Sequence, residues 1–197
     1  MKFLLRLDEI TEFWIVWIGR VTAWVAIALM IVIVFDVITR RFLVLGSTKL
    51  QELEWHIHAV LFLFCLGYAY LKDAHVRIDL VRERLSRRTQ LWIELIGCLF
   101  FLIPYCIIVI YYGADWWHRS FEQNEMAASA TGLPYRWIIK AALPIGFVIL
   151  LLSAVGMAFR KIVQLFGTPN LVQIVDDREK AETVHLDEVE LPLDGER

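Results

Sequence analysis

Four long stretches without a charged residue dominate this 197-residue chain. They cover residues 21–35, 55–71, 95–114 and 141–159. With its flanks, each is close to the roughly 20 residues that a helix needs to cross about 30 Å of hydrocarbon. Backbone polar groups inside a bilayer must be satisfied within their own segment, so the stretches are expected to be α-helices. The sequence therefore predicts an all-α integral membrane four-helix bundle, with spans near 21–42, 53–71, 92–114 and 137–160.

The first 20 residues combine charges with apolar side chains at helical spacing. Ile10, Trp14 and Trp17 recur every three to four residues among charged positions. This pattern is typical of an amphipathic helix at the membrane surface, so residues 1–20 are predicted to form one. A plain extension of the first span fits the same pattern. No small-residue cleavage site follows the apolar run, so we expect the run to be retained rather than removed as a signal peptide.

The end of the chain has a different composition. Residues 168–197 hold nine acidic and three basic residues, a net charge of −6, which leaves +4 for the rest of a chain whose total is −2. An acidic segment that is poor in aromatic residues buries little apolar surface. This tail is therefore predicted to be mostly disordered, with a short helix near 178–183. No basic soluble domain or motif indicates nucleic-acid binding.

Lysine and arginine are concentrated on one side of the predicted spans. The loop between the second and third spans contains Lys72, Arg77, Arg82, Arg84, Arg87 and Arg88. Because basic residues collect in cytoplasmic loops, this loop and both termini are predicted to be cytoplasmic, although Arg40 and Arg41 count against that orientation. Within the loop, His75, Arg77 and Asp79 are candidates for contacts with a partner.

The second span opens with the sequence QELEWHIH, in which two acids and then two histidines occupy every second position. Glu52 and His56 are four residues apart, so they share a helix face. Glu54 and His58 have the same spacing. Trp55, between them, fits the aromatic level of a membrane interface.

Two interpretations of this motif differ in their chemistry. Imidazoles bind zinc and haem, and His118 could lie at the same depth, but no HExxH or repeated ExxH pattern is present. No nucleophile or oxyanion loop accompanies the acids, so no catalytic residue, metal ligand or cofactor is predicted and the chain is not expected to be an enzyme. The other interpretation is helix pairing, because a carboxylate at the edge of hydrocarbon needs a partner. The candidate partners are Arg40, Arg41 and Lys140, and Asp36 is four residues from Arg40.

The centres of the predicted spans carry no charge. Carriers of protons or ions usually need ionisable or unwound polar groups near the membrane midplane. The chain is therefore predicted to support another protein rather than to form a transport path. Two other classes remain open: a haem or quinone anchor subunit of an oxidoreductase, and a self-sufficient small transporter.

Four segments together resemble a known family. They are RRF at 40–42, QELEWHIHAVLFLFCLGYAYLKDAHVRIDL at 51–80, VRERLSRRTQLWIELIG at 81–97 and GLPYRWIIKAALPIGFVILLL at 132–152. Over about residues 15–165 the sequence resembles the small membrane subunit, of DctQ type, of tripartite ATP-independent periplasmic (TRAP) transporters. The resemblance implies a DctQ-like domain over 21–167, and the tail beyond it is not part of the family pattern.

The resemblance also implies partners and a location. The family subunit lies in the bacterial inner membrane among lipids, and it associates with a large multi-helix subunit and a periplasmic substrate-binding protein. The large subunit carries an organic acid anion with sodium, while the small subunit is a scaffold that binds no substrate. From the residues themselves, the candidates for structural pairing or for the partner interface are Asp36, Arg40, Glu52, Glu54, Trp55, His56, His58 and Lys140. The candidates for docking of the binding protein are Arg40, Arg41 and Arg136.

Overall fold

The computed structural model describes residues 2–42, 46–72, 85–127 and 131–190, and every regular element in these ranges is helical. The elements are α1 (Lys2–Phe42), α2 (Thr48–Leu71), α3 (Arg87–Gly97), a π-helical turn (Cys98–Leu102), α4 (Ile103–Glu122), α5 (Trp137–Phe166) and α6 (Pro169–Glu190). Four runs are long and apolar enough to cross a membrane: most of α1, all of α2, the continuous run from α3 to α4, and α5. The prediction of an all-α chain with four helices able to span a membrane is thus confirmed for the described residues.

The spans alternate in direction, which gives the bundle two ends. The hairpin end, defined here as residues 36–42, 46–58, 115–127 and 131–140, contains the last turns of α1 and α4 and the first turns of α2 and α5. The tail end, defined as residues 8–20, 68–94 and 156–179 within the described ranges, contains the first turns of α1 and α3, the last turns of α2 and α5, and α6.

The N-terminal segment continues directly into the first span. α1 has 41 residues without a break, so at about 1.5 Å per residue it is about 60 Å long, roughly twice the hydrocarbon thickness. No proline interrupts this stretch, and Gly19 is the one glycine in it. Residues 2–20 are therefore the first half of one long helix, as the alternative interpretation of the sequence had it. Their placement at a membrane surface stays a prediction.

Local sequence features set several helix boundaries. Ser47 precedes α2, and its hydroxyl accepts a hydrogen bond from the N–H of Leu50 at 3.5 Å. Ser86 precedes α3 and accepts from the N–H of Thr89 at 3.4 Å. Serine is favoured at this position because its oxygen satisfies one of the unpaired N–H groups of the first turn. Gly167 ends α5, two residues before the proline that begins α6.

A widened turn lies in the middle of the third span. The N–H of Ile103 donates to the carbonyl oxygen of Cys98, five residues back, which closes the π-helical turn. Pro104 follows at once and has no N–H to continue the α-helical pattern. The wider turn accommodates this missing donor without ending the helix.

The bundle is built around α5, which contacts every other helix. α2 and α5 approach closely at two glycines. A methyl group added to Gly146 would lie 2.8 Å from both Cβ and the carbonyl oxygen of Leu63, and one added to Gly67 would lie 3.0 Å from the carbonyl oxygen of Ile149. The hydroxyl of Ser153 donates to the carbonyl oxygen of Gly67 at 3.0 Å, which links the two helices in the buried core. Small residues thus bring the two backbones together.

The tail is more helical than the sequence prediction, which was a mostly disordered segment over 168–197 with a short helix near 178–183. The structure has helix α6 over Pro169–Glu190, packed against α5, while residues 191–197 lie outside the described part of the chain. Val175 is 3% exposed and packs against the fully buried Val163, which supplies the apolar contact that composition did not reveal. Two acids of α6 also meet bases, Asp176 with Arg87 on α3 and Glu179 with Lys161 on α5.

Candidate functional site

A polar cavity of about 470 Å³ lies at the hairpin end, between α2, α4 and the start of α5. Charged and aromatic side chains from all three helices and from the α4–α5 connection line it. They include Glu52, Trp55, His56, Trp116, Glu125, Arg136 and Lys140. The structure therefore brings together five residues singled out in the sequence, and it adds Trp116 and Glu125. We call this site the hairpin-end pocket.

Glu52 fixes the connection between α4 and α5. Its Oε2 accepts a hydrogen bond of 2.6 Å from the backbone N–H of Leu133, although the two residues are 81 positions apart. A methyl group added to Gly132 would lie 2.7 Å from both carboxylate oxygens, so glycine leaves the space that Glu52 occupies. Thr131 adds a second link, because its hydroxyl donates to Thr48 Oγ1 at 3.2 Å. Within the described ranges, the carboxylate of Glu52 thus has a backbone partner rather than a basic side chain.

Lys140 pairs with an acid that the sequence analysis did not select. Its ammonium group forms an ion pair with Glu125 and lies 4.2 Å from the ring centroid of Trp116, with only 11% of the side chain exposed. The carbonyl oxygen of Glu125 accepts a 3.0 Å hydrogen bond from the N–H of Arg136. Lys140 is therefore already neutralised within the pocket. Glu125 makes two contacts near the start of α5, one from its carboxylate to Lys140 and one from its carbonyl oxygen to Arg136.

The remaining predicted site residues lie around the pocket or apart from it. Arg40 forms an ion pair with the buried Asp36, four residues earlier on α1. Glu54 has its Oε1 buried without a hydrogen-bond donor among the described residues. Arg41 and His58 are exposed. The predicted loop contacts at His75, Arg77 and Asp79 lie outside the described residues.

The histidines do not form a ligand cluster in the described part of the chain. No group of three or more histidine, cysteine, aspartate or glutamate side chains is positioned there to hold a metal ion. His118 has 61% of its side chain exposed and lies 3.6 Å from Glu122 on its own helix. The arrangement gives no specific support for the haem or metal interpretation.

A second charged site, at the tail end, was missed by the sequence analysis. Arg160 on α5 donates to Asp8 Oδ2 at 2.7 Å and to Glu12 Oε2 at 2.6 Å. The side chains of Arg160 and Asp8 are each 2% exposed. One signal was available, since Asp8 and Glu12 are four residues apart and share a helix face. We call this group the tail-end ion cluster.

The α6 helix extends this cluster. Arg178 donates to Glu9 at 2.6 Å, and Lys161 is 3.1 Å from Glu179. Arg87, at the start of α3, is 2.6 Å from Asp176. Charged pairs therefore connect α6 to α1, α3 and α5.

The hydrogen bond from Leu133 to Glu52 leads to a local prediction. We expect Glu52→Ala to speed hydrogen exchange at residues 131–136, because the Leu133 N–H loses its acceptor at a cost of about 1–3 kcal/mol. Glu54→Ala on the same helix is the matched control, since Glu54 Oε1 accepts no hydrogen bond from the described residues. Exchange measured by mass spectrometry in detergent checks this, and equal protection in the two variants would contradict it.

The Glu125–Lys140 ion pair predicts that the stability of the fold falls at acidic pH. The hydrogen bond from Lys140 is the main cause that lowers the pKa of Glu125 below its ordinary 4.5. A carboxyl whose folded-state pKa is depressed stabilises the fold above its unfolded pKa and loses that effect as the pH falls through the folded pKa. We expect the melting-temperature difference between wild type and Glu125→Gln to be constant above about pH 4.5 and to shrink below it. A difference that shrinks between neutral pH and pH 4.5 would argue against the pair.

A comparison with known protein families identifies the family of this chain. A family model for the DctQ component of tripartite ATP-independent periplasmic transporters matches residues 29–164, more than half of the chain. The match includes the whole hairpin-end pocket and excludes Asp8, Glu12 and α6. No curated protein matches the sequence. The extent of the family match, on a chain with four membrane-competent helices, shows that this protein belongs to the DctQ family and is a small membrane subunit of a TRAP transporter.

Proposed function

We propose that this chain is the scaffold subunit of a transporter that imports an organic acid anion with sodium across the bacterial inner membrane. One observation carries the proposal: aspartate, glutamate, lysine and arginine are absent from the central stretches 21–35, 55–71, 95–114 and 141–159. A path for ions or anions needs ionisable or unwound polar groups at that depth. The large membrane subunit then supplies the path and the substrate site, and this chain supplies a fixed support.

One face of α2 is suited to contact the large subunit. Trp55, His58 and Phe62 are spaced three and four residues apart, so they share a helix face. All three are exposed, Trp55 by 64% and Phe62 by 59%. His58 lies between these apolar side chains and has no hydrogen-bond partner among the described residues. An imidazole in lipid favours a polar group on a neighbouring helix. We assign this face to the interface with the large subunit.

Co-purification in gentle detergent, with the large subunit expressed from the same cells, tests the scaffold role. We expect wild type to retain the large subunit and the double variant His58→Leu/Phe62→Ala to lose most of it. His118→Leu is the matched control, because His118 is equally a surface histidine but lies on α4. In proteoliposomes, this chain alone should give no uptake, and the large subunit should need it. Sodium-driven uptake by this chain alone, or a haem-coloured complex with redox subunits, would contradict the proposal.

The hairpin end is proposed to face the periplasm and to receive the substrate-binding protein. Arg40 is occupied by Asp36, so Arg41 and Arg136 are the stronger docking candidates at this end. We expect Arg41→Glu to lower uptake at limiting binding-protein concentration and to make it more salt-sensitive, because rim charges act mainly on association rate. Arg88→Glu, an exposed charge reversal at the tail end, should leave uptake unchanged. Lower uptake by Arg88→Glu together with unchanged uptake by Arg41→Glu would instead place the hairpin end in the cytoplasm.

A further inference from the structure

The two ends of the chain lie outside the range that matches the family, yet they contact each other at the tail end of the bundle. Arg178 on α6 donates a 2.6 Å hydrogen bond to Glu9 on α1, although 169 positions separate the two residues. The guanidinium of Arg178 also lies 4.0 Å from Asp8 Oδ2, the same oxygen that accepts a hydrogen bond from Arg160 on α5. The carboxylate of Asp8 is therefore shared between a base of the matched domain and a base of the C-terminal helix.

Charged and polar pairs also connect α6 to α3 and α5, over the part of α6 whose side chains the structure describes. Asp176 is 2.6 Å from Arg87 on α3 and accepts a hydrogen bond from the side-chain amide of Gln164 at 3.0 Å. Glu179 is 3.1 Å from Lys161 on α5 and accepts from the same amide at 2.9 Å. Each of these two acids thus has a base and an amide donor on the bundle.

The apolar contact of α6 is small by comparison. Val175 packs on Val163 with Leu171 beside them, and these three residues make up the cluster. The neighbouring Ile174 is 50% exposed and adds little to it. Most of the stability of a helix in a protein comes from its tertiary contacts, so the docking of α6 depends mainly on its charged and polar pairs.

These outer pairs differ from the buried pair of the tail-end ion cluster in their exposure to solvent. The side chains of Arg87 and Glu9 are 66% and 52% exposed, and that of Arg178 is 29% exposed. The side chains of Asp8 and Arg160 are each 2% exposed. Dissolved ions weaken the attraction between exposed charges much more than the attraction between buried charges. Rising salt should therefore break the outer pairs while the buried pair stays intact.

We propose that α6 is an electrostatic clasp that holds the N-terminal half of α1 against α5 and opens as the ionic strength rises. In the closed state Arg178 connects α6 to α1, while Asp176 and Glu179 connect it to α3 and α5. In the open state α6 leaves the bundle, and the Asp8–Arg160 pair keeps α1 near α5 but is reached by water. This inference does not depend on the scaffold role or on which end of the bundle faces the periplasm.

Hydrogen exchange of the purified full chain in a non-ionic detergent, measured by mass spectrometry, tests the clasp. Low salt is compared with about 1 M potassium chloride, where the screening length falls to about 3 Å. We expect high salt to speed exchange of wild type about fivefold in residues 7–13 and 173–179 together. The contact of α2 with α5 near Gly146 should not change. Arg178→Gln should show the faster exchange in both segments already at low salt, because the connection to Glu9 is lost.

Three further variants separate charge from packing. Arg178→Lys keeps the charge and should retain most of the protection. Arg119→Gln removes an exposed arginine that pairs with Asp115 at the hairpin end, so it should match wild type. Val175→Ala weakens the apolar contact without changing a charge. Its exchange should be faster at both salt concentrations, and the ratio between them should stay that of wild type.

Two results would overturn the proposal. If Arg178→Gln speeds exchange in residues 173–179 and leaves residues 7–13 as protected as in wild type, α6 does not hold α1. If high salt leaves exchange in both segments of wild type unchanged, packing at Val175 rather than charge docks the helix.

Discussion

Replacing Arg160 with methionine is expected to destabilise the bundle by about 3–5 kcal/mol, the usual cost of removing one partner from a buried ion pair. The substitution keeps a flexible apolar stem but leaves the carboxylates of Asp8 and Glu12 without their shared donor. The two acids are 2% and 18% exposed, so water cannot replace the guanidinium fully. Thermal unfolding followed by circular dichroism in mild detergent measures the effect.

Two further variants make this result specific. Arg119→Met removes an arginine that pairs with Asp115 at the surface, with both side chains more than half exposed, and should change stability by no more than about 1 kcal/mol. Adding Asp8→Asn and Glu12→Gln to Arg160→Met should recover part of the loss, because it removes the uncompensated charges. A melting temperature of Arg160→Met equal to that of Arg119→Met would show that the cluster is not a stabilising element.

Substituting Gly146 is expected to have the second large effect. The added methyl group of Gly146→Ala would lie 2.8 Å from two atoms of Leu63, one of them the carbonyl oxygen, which cannot rotate away. α2 and α5 must then separate along their contact. Overpacking of this kind costs about 1–3 kcal/mol, and we expect the upper end of this range because the added methyl group contacts a backbone atom. The measurements are the yield of monodisperse protein and its melting temperature.

Gly113 provides a matched control with the same chemical change. A methyl group added there would meet Leu143 Cδ2 at 3.4 Å, a flexible side-chain end that can shift. Gly113→Ala should therefore be close to neutral, and the usual gain from replacing a helical glycine should offset any small strain. Equal stability of the two variants would mean that the α2–α5 contact is looser than the structure has it.

The four spans could be predicted from the sequence because crossing a membrane depends on local hydropathy. The Asp36–Arg40 pair could be predicted as well, because the two residues are four apart on one helix. The pairing of polar groups on different helices could not, because it depends on residues that are far apart in the chain. Glu52 was expected to find a basic side chain, yet its partner is a backbone N–H made available by Gly132 and the turn before α5. Lys140 was a candidate for that role and instead binds Glu125, which no pattern in the sequence marked.

The tail shows why composition alone is a poor guide to the structure of a segment. Acidic composition predicts disorder when the charges stay in water, but Asp176 and Glu179 each meet a base on another helix. Val175 adds an apolar contact with Val163. Neither the bases nor the apolar partner lies within the tail, so the segment alone predicted only a short helix near 178–183 and not the full length Pro169–Glu190.

The tail-end ion cluster also has a consequence for how the chain is made. Arg160 is synthesised 152 residues after Asp8, and Arg178 is 169 residues after Glu9. Until α5 leaves the ribosome, the acids at the start of α1 have no buried base to meet, and an unpaired carboxylate is too costly to leave water. We expect the first turns of α1 to stay hydrated during most of translation and to dock only when the last span arrives. Closure of the bundle is then a late event, and it acts as a check that the whole membrane domain has been produced.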